Sequence, residues 1–238
     1  MVQISSSGAP FEKPRALRIC FQKMGALQYI SHLDLVRTMT RVIARAQLPI
    51  KYTEGFHPIP HLVFSAPLPV GAQSPREFLD IEVLSEVDTE EVKARLNEGL
   101  PAELSVGEVY YATTKFKEIT AAEYEIRMHT ANATPALAEK CVACLSEGSV
   151  VVHKRTKGGE RDVDVRDAIL RVRGEWCAES DELIVAVTLV AAGGSFLNPD
   201  YLVSYLKDRL GILSGSPDEE WYHVIRTHLF CANGEDFS

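Results

Sequence analysis

Hydrophobic and polar positions alternate with period two along "ALRICFQKMG", putting Leu17, Ile19 and Phe21 on one face, and this predicts a strand. The period then changes. In "ISHLDLVRTMTRVIARAQLP" the apolar residues Leu35, Met39, Val42, Ile43 and Ala46 recur at helical spacing. Ser31 is placed to cap this helix with Asp34 three residues on, and Pro49 limits its far end. The stretch "KYTEGFHPIPHLVFSAPLPVG" is extended and broken by prolines. "EFLDIEVL" returns to period two, with Phe78, Asp80 and Glu82 against Leu79, Ile81 and Val83. "DTEEVKARLNEG" reads as a helix that Asp88 and Glu91 open and Gly99 stops, and "ELSVGEVYYATTK" closes the half as a strand. The order is β-α-β-β-α-β.

The second half repeats the plan. "EYEIRMHT" is a strand, and "TPALAEKCVACLSEG" a helix with Thr134 as N-cap, Pro135 in its first turn and Gly148 after its end. "SVVVHKR" is a strand and "TKGGERD" a turn or hairpin tip. "AILRVRGEWC" and "ELIVAVTLVAAGG" are strands, so the middle holds one strand more than the first half. "NPDYLVSYLKDRLG" is a helix with Asn198 as N-cap and Gly211 at its end, and "WYHVIRTHLFCA" is the closing strand. The expected fold is α+β, two tandem ferredoxin-like (βαββαβ) domains with antiparallel sheets. The expected division is a flexible lead-in at 1–14, domains at 15–118 and 119–232, and a frayed tail at 233–238.

Charge adds the first hint of function. The 238-residue chain has a formal net charge of −8, which disfavours nucleic-acid binding over its whole surface. Residues 1–80 nevertheless hold nine Lys/Arg and five Asp/Glu, a net +4. A basic patch on an acidic body is compatible with a local anion site. Arg37, Arg41 and Arg45 stand four residues apart on one side of the first helix. The plainer reading is a solvated face, with Asp34 pairing Arg37. Like charges in one row repel by a few tenths of a kcal/mol per pair, and a surface built for stability alone alternates sign more often. The row therefore points to an anionic partner.

The proline-broken loop flanks this row. Tyr52 and Phe56 are candidates to stack on a flat ligand or to anchor the core, and Lys51, Ser65 and Arg76 are candidate anion contacts. His32, Asp34 and His57 are the candidate acid–base groups. His57 and His61 have metal-ligand spacing for a helix, but Pro58 and Pro60 forbid the helix, so no metal site is expected. Cys141 and Cys144 share a helical face with Leu137 and Leu145 and read as core cysteines. "TKGGERD", with Lys154, Arg155, Lys157 and Arg161 about it, reads as an exposed basic hairpin without P-loop spacing. No stretch is long and apolar enough to span a bilayer, and the N-terminus lacks the apolar core of a signal peptide. With an odd count of five cysteines, a reduced cytoplasmic protein is expected.

The block "ISHLDLVRTMTRVIARAQLPIKYTEGFHPIPHLVFSAPLPVG" resembles the hallmark segment of the uncharacterised radical-SAM-linked protein family. Matching positions are His32, Asp34, Arg37, Arg41, Arg45, Pro49, Tyr52, Gly55, Phe56, Pro58, Pro67, Leu68, Pro69 and Gly71. The likeness resumes at "DVDVR", "GGSFLNPD" and "VIRTHLF". Where the family pattern resembles Asn-Pro-His-Pro-Lys, this chain has His57, Pro58, Ile59, Pro60 and His61. The resemblance implies a radical-SAM protein partner with a cobalamin-binding-type domain. The chain has no CxxxCxxC triplet for an iron–sulfur cluster of its own, so no cofactor is expected in it. Three readings follow: a non-catalytic module holding an anionic substrate such as structured RNA for that partner, an RNA-processing or RNA-modifying enzyme in its own right, or a protein–protein adaptor. The doubled βαββαβ order is also similar to that of CRISPR repeat-processing endonucleases and some pseudouridine synthases, an analogy of fold alone.

Overall fold

The computed structural model describes residues 10–156, 159–192 and 196–238. Residues 1–9, Lys157 and the "GGS" of "GGSFLNPD" lie outside them. The chain is α+β with mostly antiparallel strand pairing and divides into two compact units, Met1–Phe116 with Ser238, and Lys117–Phe237.

In the first unit the order is β1 (Pro10–Lys23), α1 (His32–Ala46), β2 (Leu62–Phe64), β3 (Ala72–Ser85), α2 (Thr89–Asn97) and β4 (Val106–Tyr111). The sheet runs β4-β1-β3-β2, with antiparallel neighbours throughout. Pairing Leu17 with Ile81 and Ile19 with Leu79 sets the register. That register gives the sheet one apolar face, with Leu17, Ile19, Phe21, Leu79, Ile81 and Val83 buried against α1 and α2. The other face carries Arg18, Cys20, Phe78, Asp80 and Glu82. Arg18 is fully buried there and meets Asp80 through two hydrogen bonds of 2.8 and 2.9 Å. Its Nη1 donates to the Thr114 hydroxyl at 2.6 Å, and Phe116 stacks at 4.6 Å.

The start of the chain corrects an expectation. Residues 10–14 are not a loose lead-in, because β1 already begins at Pro10, which pairs with Ser85.

The second unit contains β5 (Ile119–His129), α3 (Pro135–Ser146), β6 (Val151–Thr156), β7 (Gly159–Asp164), β8 (Ile169–Cys177), β9 (Glu182–Val190), α4 (Asp200–Leu210) and β10 (Trp221–Cys231). Its sheet runs β10-β5-β9-β8. The surplus strand is one leg of a separate β6–β7 hairpin inserted between α3 and β8. Without that insertion the unit repeats the β-α-β-β-α-β order of the first. Gly174 lets α3 lie directly on β8, since a Cβ there would meet Val142 Cγ2 at 2.8 Å and the Ala138 carbonyl oxygen at 2.9 Å.

Caps follow the sequence closely. Thr134 accepts the Leu137 N–H, and Asp88 accepts those of Glu90 and Glu91. Asn198 is not the N-cap of α4; the helix begins one residue later, although the Asn198 side chain still accepts the Asp200 N–H at 3.1 Å. The last residues are not a frayed tail. Phe237 N–H bonds the Leu229 carbonyl at 2.8 Å, and its ring is buried. A polar segment with one aromatic residue thus turns back because that residue reaches the core.

Two outcomes test this packing. Asp80→Ala leaves the buried Arg18 guanidinium without its main counter-charge, and chemical denaturation should show a loss of about 3 kcal/mol. Glu220 accepts hydrogen bonds from the Thr130 hydroxyl, Gly215 N–H and Ala131 N–H, which hold its carboxyl down from 4.5 to about 2. Because the folded-state value is depressed, its stabilisation is present above pH 4.5 and lost as pH falls towards about 2. Glu220→Gln should flatten the melting temperature across that window.

Candidate functional site

Ser31 caps α1 by accepting the Asp34 N–H at 3.1 Å, and its hydroxyl donates back to the Asp34 carboxylate at 2.7 Å. The Ser31 hydroxyl, and then the Arg37 guanidinium at 3.3 Å, hold the Asp34 carboxyl below its usual range. Asp34 is therefore an ionised cap and ion-pair partner. Leu35, Met39, Val42, Ile43 and Ala46 are all buried, as the helical period requires. Arg37, Arg41 and Arg45 lie opposite them and are exposed. At 1.5 Å per residue they stand about 6 Å apart along the axis, spanning about 12 Å. Arg37 has only its exposed contact with Asp34, whereas Arg41 and Arg45 form no ion pair or hydrogen bond among the described residues. The row ends at a groove of about 480 Å³ where Arg45 and Gln47 face Arg95 and Glu98 of the α2 end.

The other proposed anion contacts are not part of this face. Lys51 Nζ is 2.8 Å from Glu82, and Arg76 Nη2 is 3.8 Å from Glu108. Arg76 also stacks on Phe78 at 5.3 Å. Strand alternation puts Arg76, Phe78, Asp80 and Glu82 on the sheet face away from α1. Ser65 is buried, with its N–H on the Phe78 carbonyl.

Residues 51–61 form a tight extended return. Thr53 N–H bonds the Ile59 carbonyl at 2.9 Å, His61 N–H bonds that of Lys51 at 3.2 Å, and Tyr52 bridges to Pro60. Gly55, at φ +133°, makes the turn. The tip presents Phe56 fully exposed, with His57 exposed beside it and Tyr52 partly exposed. Phe56 is thus no core anchor. No hydrogen bond or ion pair joins this loop to the arginine row or joins His57 to His32 or Asp34 among the described residues. His32 is exposed at the first turn of α1, edge-on to Phe64 with ring centres 5.2 Å apart.

The sequence reading passed over a buried pair beneath that turn. Lys23 and Glu77 face the same small cleft as His32 and Ser65, with Lys23 Nζ donating to the Gln28 carbonyl at 3.0 Å. The signal was the strand alternation itself, which carries Lys23 on from Phe21 and Glu77 back from Leu79. The cleft has about 10 Å³ of free space, about the room of one water, so it holds no substrate. Cys20 and Cys141 are buried: burial pushes the Cys141 thiol up to about 12 and raises Cys20 as well. No group of three His, Cys, Asp or Glu among the described residues could hold a metal ion.

These placements separate cap from free surface. Ser31→Ala should lower stability by about 1 kcal/mol. Arg41→Ala and Phe56→Ala should each stay within about 0.5 kcal/mol of the wild type in the same denaturation measurement.

No curated protein matches the chain. Among solved structures it is similar to part of a Cbf5-Nop10-Gar1 complex, with 13% identity and a TM-score of 0.47 over 90% of this chain and 48% of that one. The chain thus spans about half the length of that structure's chain. It is also similar to an anthrone oxidase-like protein (12%, TM-score 0.22, covering 99% and 98% of the two chains). A third is DyPB from Rhodococcus jostii RHA1 (9%, TM-score 0.18, covering 95% and 97%). Likenesses at these scores carry nothing over to the site. A family model matches residues 16–199, from the first strand to the residue before α4, and so the chain belongs to DUF2344, an uncharacterized protein family conserved in bacteria.

Proposed function

We propose that the chain is a non-catalytic, cytoplasmic substrate-binding partner of a radical-SAM enzyme, built on two ferredoxin-like units, and that it holds structured RNA by its phosphates. The observation that carries this reading is the exposed row Arg37, Arg41 and Arg45, of which two members have no partner among the described residues. Guanidinium groups about 6 Å apart on a rigid helix can contact successive phosphates without reorganising. Phe56, at its turn tip, supplies a face on which an unpaired base stacks. Lys51, Ser65 and Arg76 drop out of the contact set because they are paired or buried elsewhere. The radical-SAM link rests on the sequence resemblance.

The acid–base reading has no comparable support, since His32, Asp34 and His57 share no hydrogen bond and Asp34 is committed to capping. The adaptor reading has one observation in its favour. Tyr29, Leu33 and Val70 are exposed apolar side chains, and the Gly71 N–H bond to the Gln28 carbonyl ties two of their segments together. No helix among the described residues is long and apolar enough to cross a membrane.

Fluorescence anisotropy of labelled total tRNA across a salt series distinguishes these readings. Wild-type log affinity should fall linearly with log salt, and Arg41→Ala should weaken binding and lower the slope by about 1. Absence of binding at low salt, or an unchanged slope in the variant, would sink the RNA reading and leave the adaptor.

A further inference from the structure

The second unit has a cavity lined by its own residues alone. It opens over about 560 Å³ between α4 and the β6–β7 hairpin, the insertion that the first unit lacks. Its volume falls within the range of small-molecule sites. Tyr201 and Tyr205 line it from α4, one turn apart and on the same side of the helix. Each ring has a cation against it. Lys154 Nζ lies 5.3 Å from the Tyr201 ring centre, and Arg209 Cζ lies 5.7 Å from that of Tyr205.

The arrangement is held in place from both sides. Tyr205 donates its hydroxyl hydrogen to the Ser149 carbonyl at 3.3 Å and accepts from Arg209 Nε at 3.4 Å. His153, on the β6 wall, contacts Asp162 at 2.9 Å and Glu160 at 3.4 Å, and both carboxylates raise its pKa towards the cationic form. Arg209 and this imidazole line the cavity, and Lys154 lies against the Tyr201 ring, on a chain of net charge −8.

Rings and guanidinium planes are the surfaces on which nucleobases stack. Cations take phosphate. The acidic member of the lining, Asp208, repels phosphate but accepts hydrogen bonds from sugar hydroxyls, and the Ser204 hydroxyl beside it can do so too. A simple anion would gain nothing from the tyrosines and would be opposed by Asp208. A neutral aromatic would leave the cations unused.

We propose that this cavity binds a nucleoside monophosphate, with the base against Tyr201 or Tyr205, the ribose towards Asp208 and Ser204, and the phosphate towards Arg209 and Lys154. The site is separate from the arginine row, so it stands whether or not the chain binds RNA there.

Isothermal titration calorimetry of the full chain with AMP, GMP, CMP and UMP tests it, with adenosine and inorganic phosphate as further arms. At least one nucleotide should bind saturably, about tenfold tighter than adenosine or phosphate. Arg209→Ala and Tyr201→Ala should each weaken it about tenfold, while Tyr201→Phe, which keeps the ring, should bind as the wild type. Arg41→Ala should be unaffected. No saturable binding up to about 5 mM overturns the proposal, as do Arg209→Ala and Tyr201→Ala variants that bind normally. Phosphate binding as tightly as AMP would also overturn it, by reducing the site to a simple anion site.

Discussion

Strand alternation in β3 sorts the charges of the first unit. Leu79, Ile81 and Val83 pack on the helices, which obliges Arg76, Phe78, Asp80 and Glu82 to project from the opposite face. On that face three cations find carboxylates: Arg18 meets Asp80, Lys51 meets Glu82 and Arg76 meets Glu108. The arginine row on α1 stands outside these pairs, and Asp34 is the acidic residue paired with it.

The helix tolerates that row because the two sides of α1 differ greatly in energy. Repulsion between like charges four residues apart amounts to a few tenths of a kcal/mol per pair. Burying one large apolar side chain stabilises by about 1.5–3 kcal/mol, and α1 buries four of them besides Ala46. The sheet-facing stripe and the Ser31 cap fix the helix, so the outer face is free to carry arginines that contribute nothing to the fold.

The second unit uses the same strand order differently. An inserted hairpin stands apart from the main sheet and walls one side of α4, and Gly174 allows α3 to settle on β8 beneath it. The result is a polar, aromatic-lined cavity. One sequence plan, used twice, thus supports an exposed basic face in one unit and a concave site in the other.

Much of this was readable from residues alone. The period-two and helical stripes, Ser31, Asp88 and Thr134 as caps, and the doubled β-α-β-β-α-β order all rest on contacts between residues close in sequence, so local pattern specifies them. The exposure of Arg37, Arg41 and Arg45 was equally legible, because the helical period that buries Leu35 and Met39 turns them outward. Other features depended on partners distant in the chain. Nothing local shows that Lys51 and Arg76 meet carboxylates on β3 and β4 or that Phe237 reaches back to the core. Tyr201 and Tyr205 looked like ordinary helix residues until the hairpin about 50 positions earlier was placed opposite them. Which side a residue faces follows from the period of its own element; what it meets there is set by register and by the packing of elements far apart in sequence.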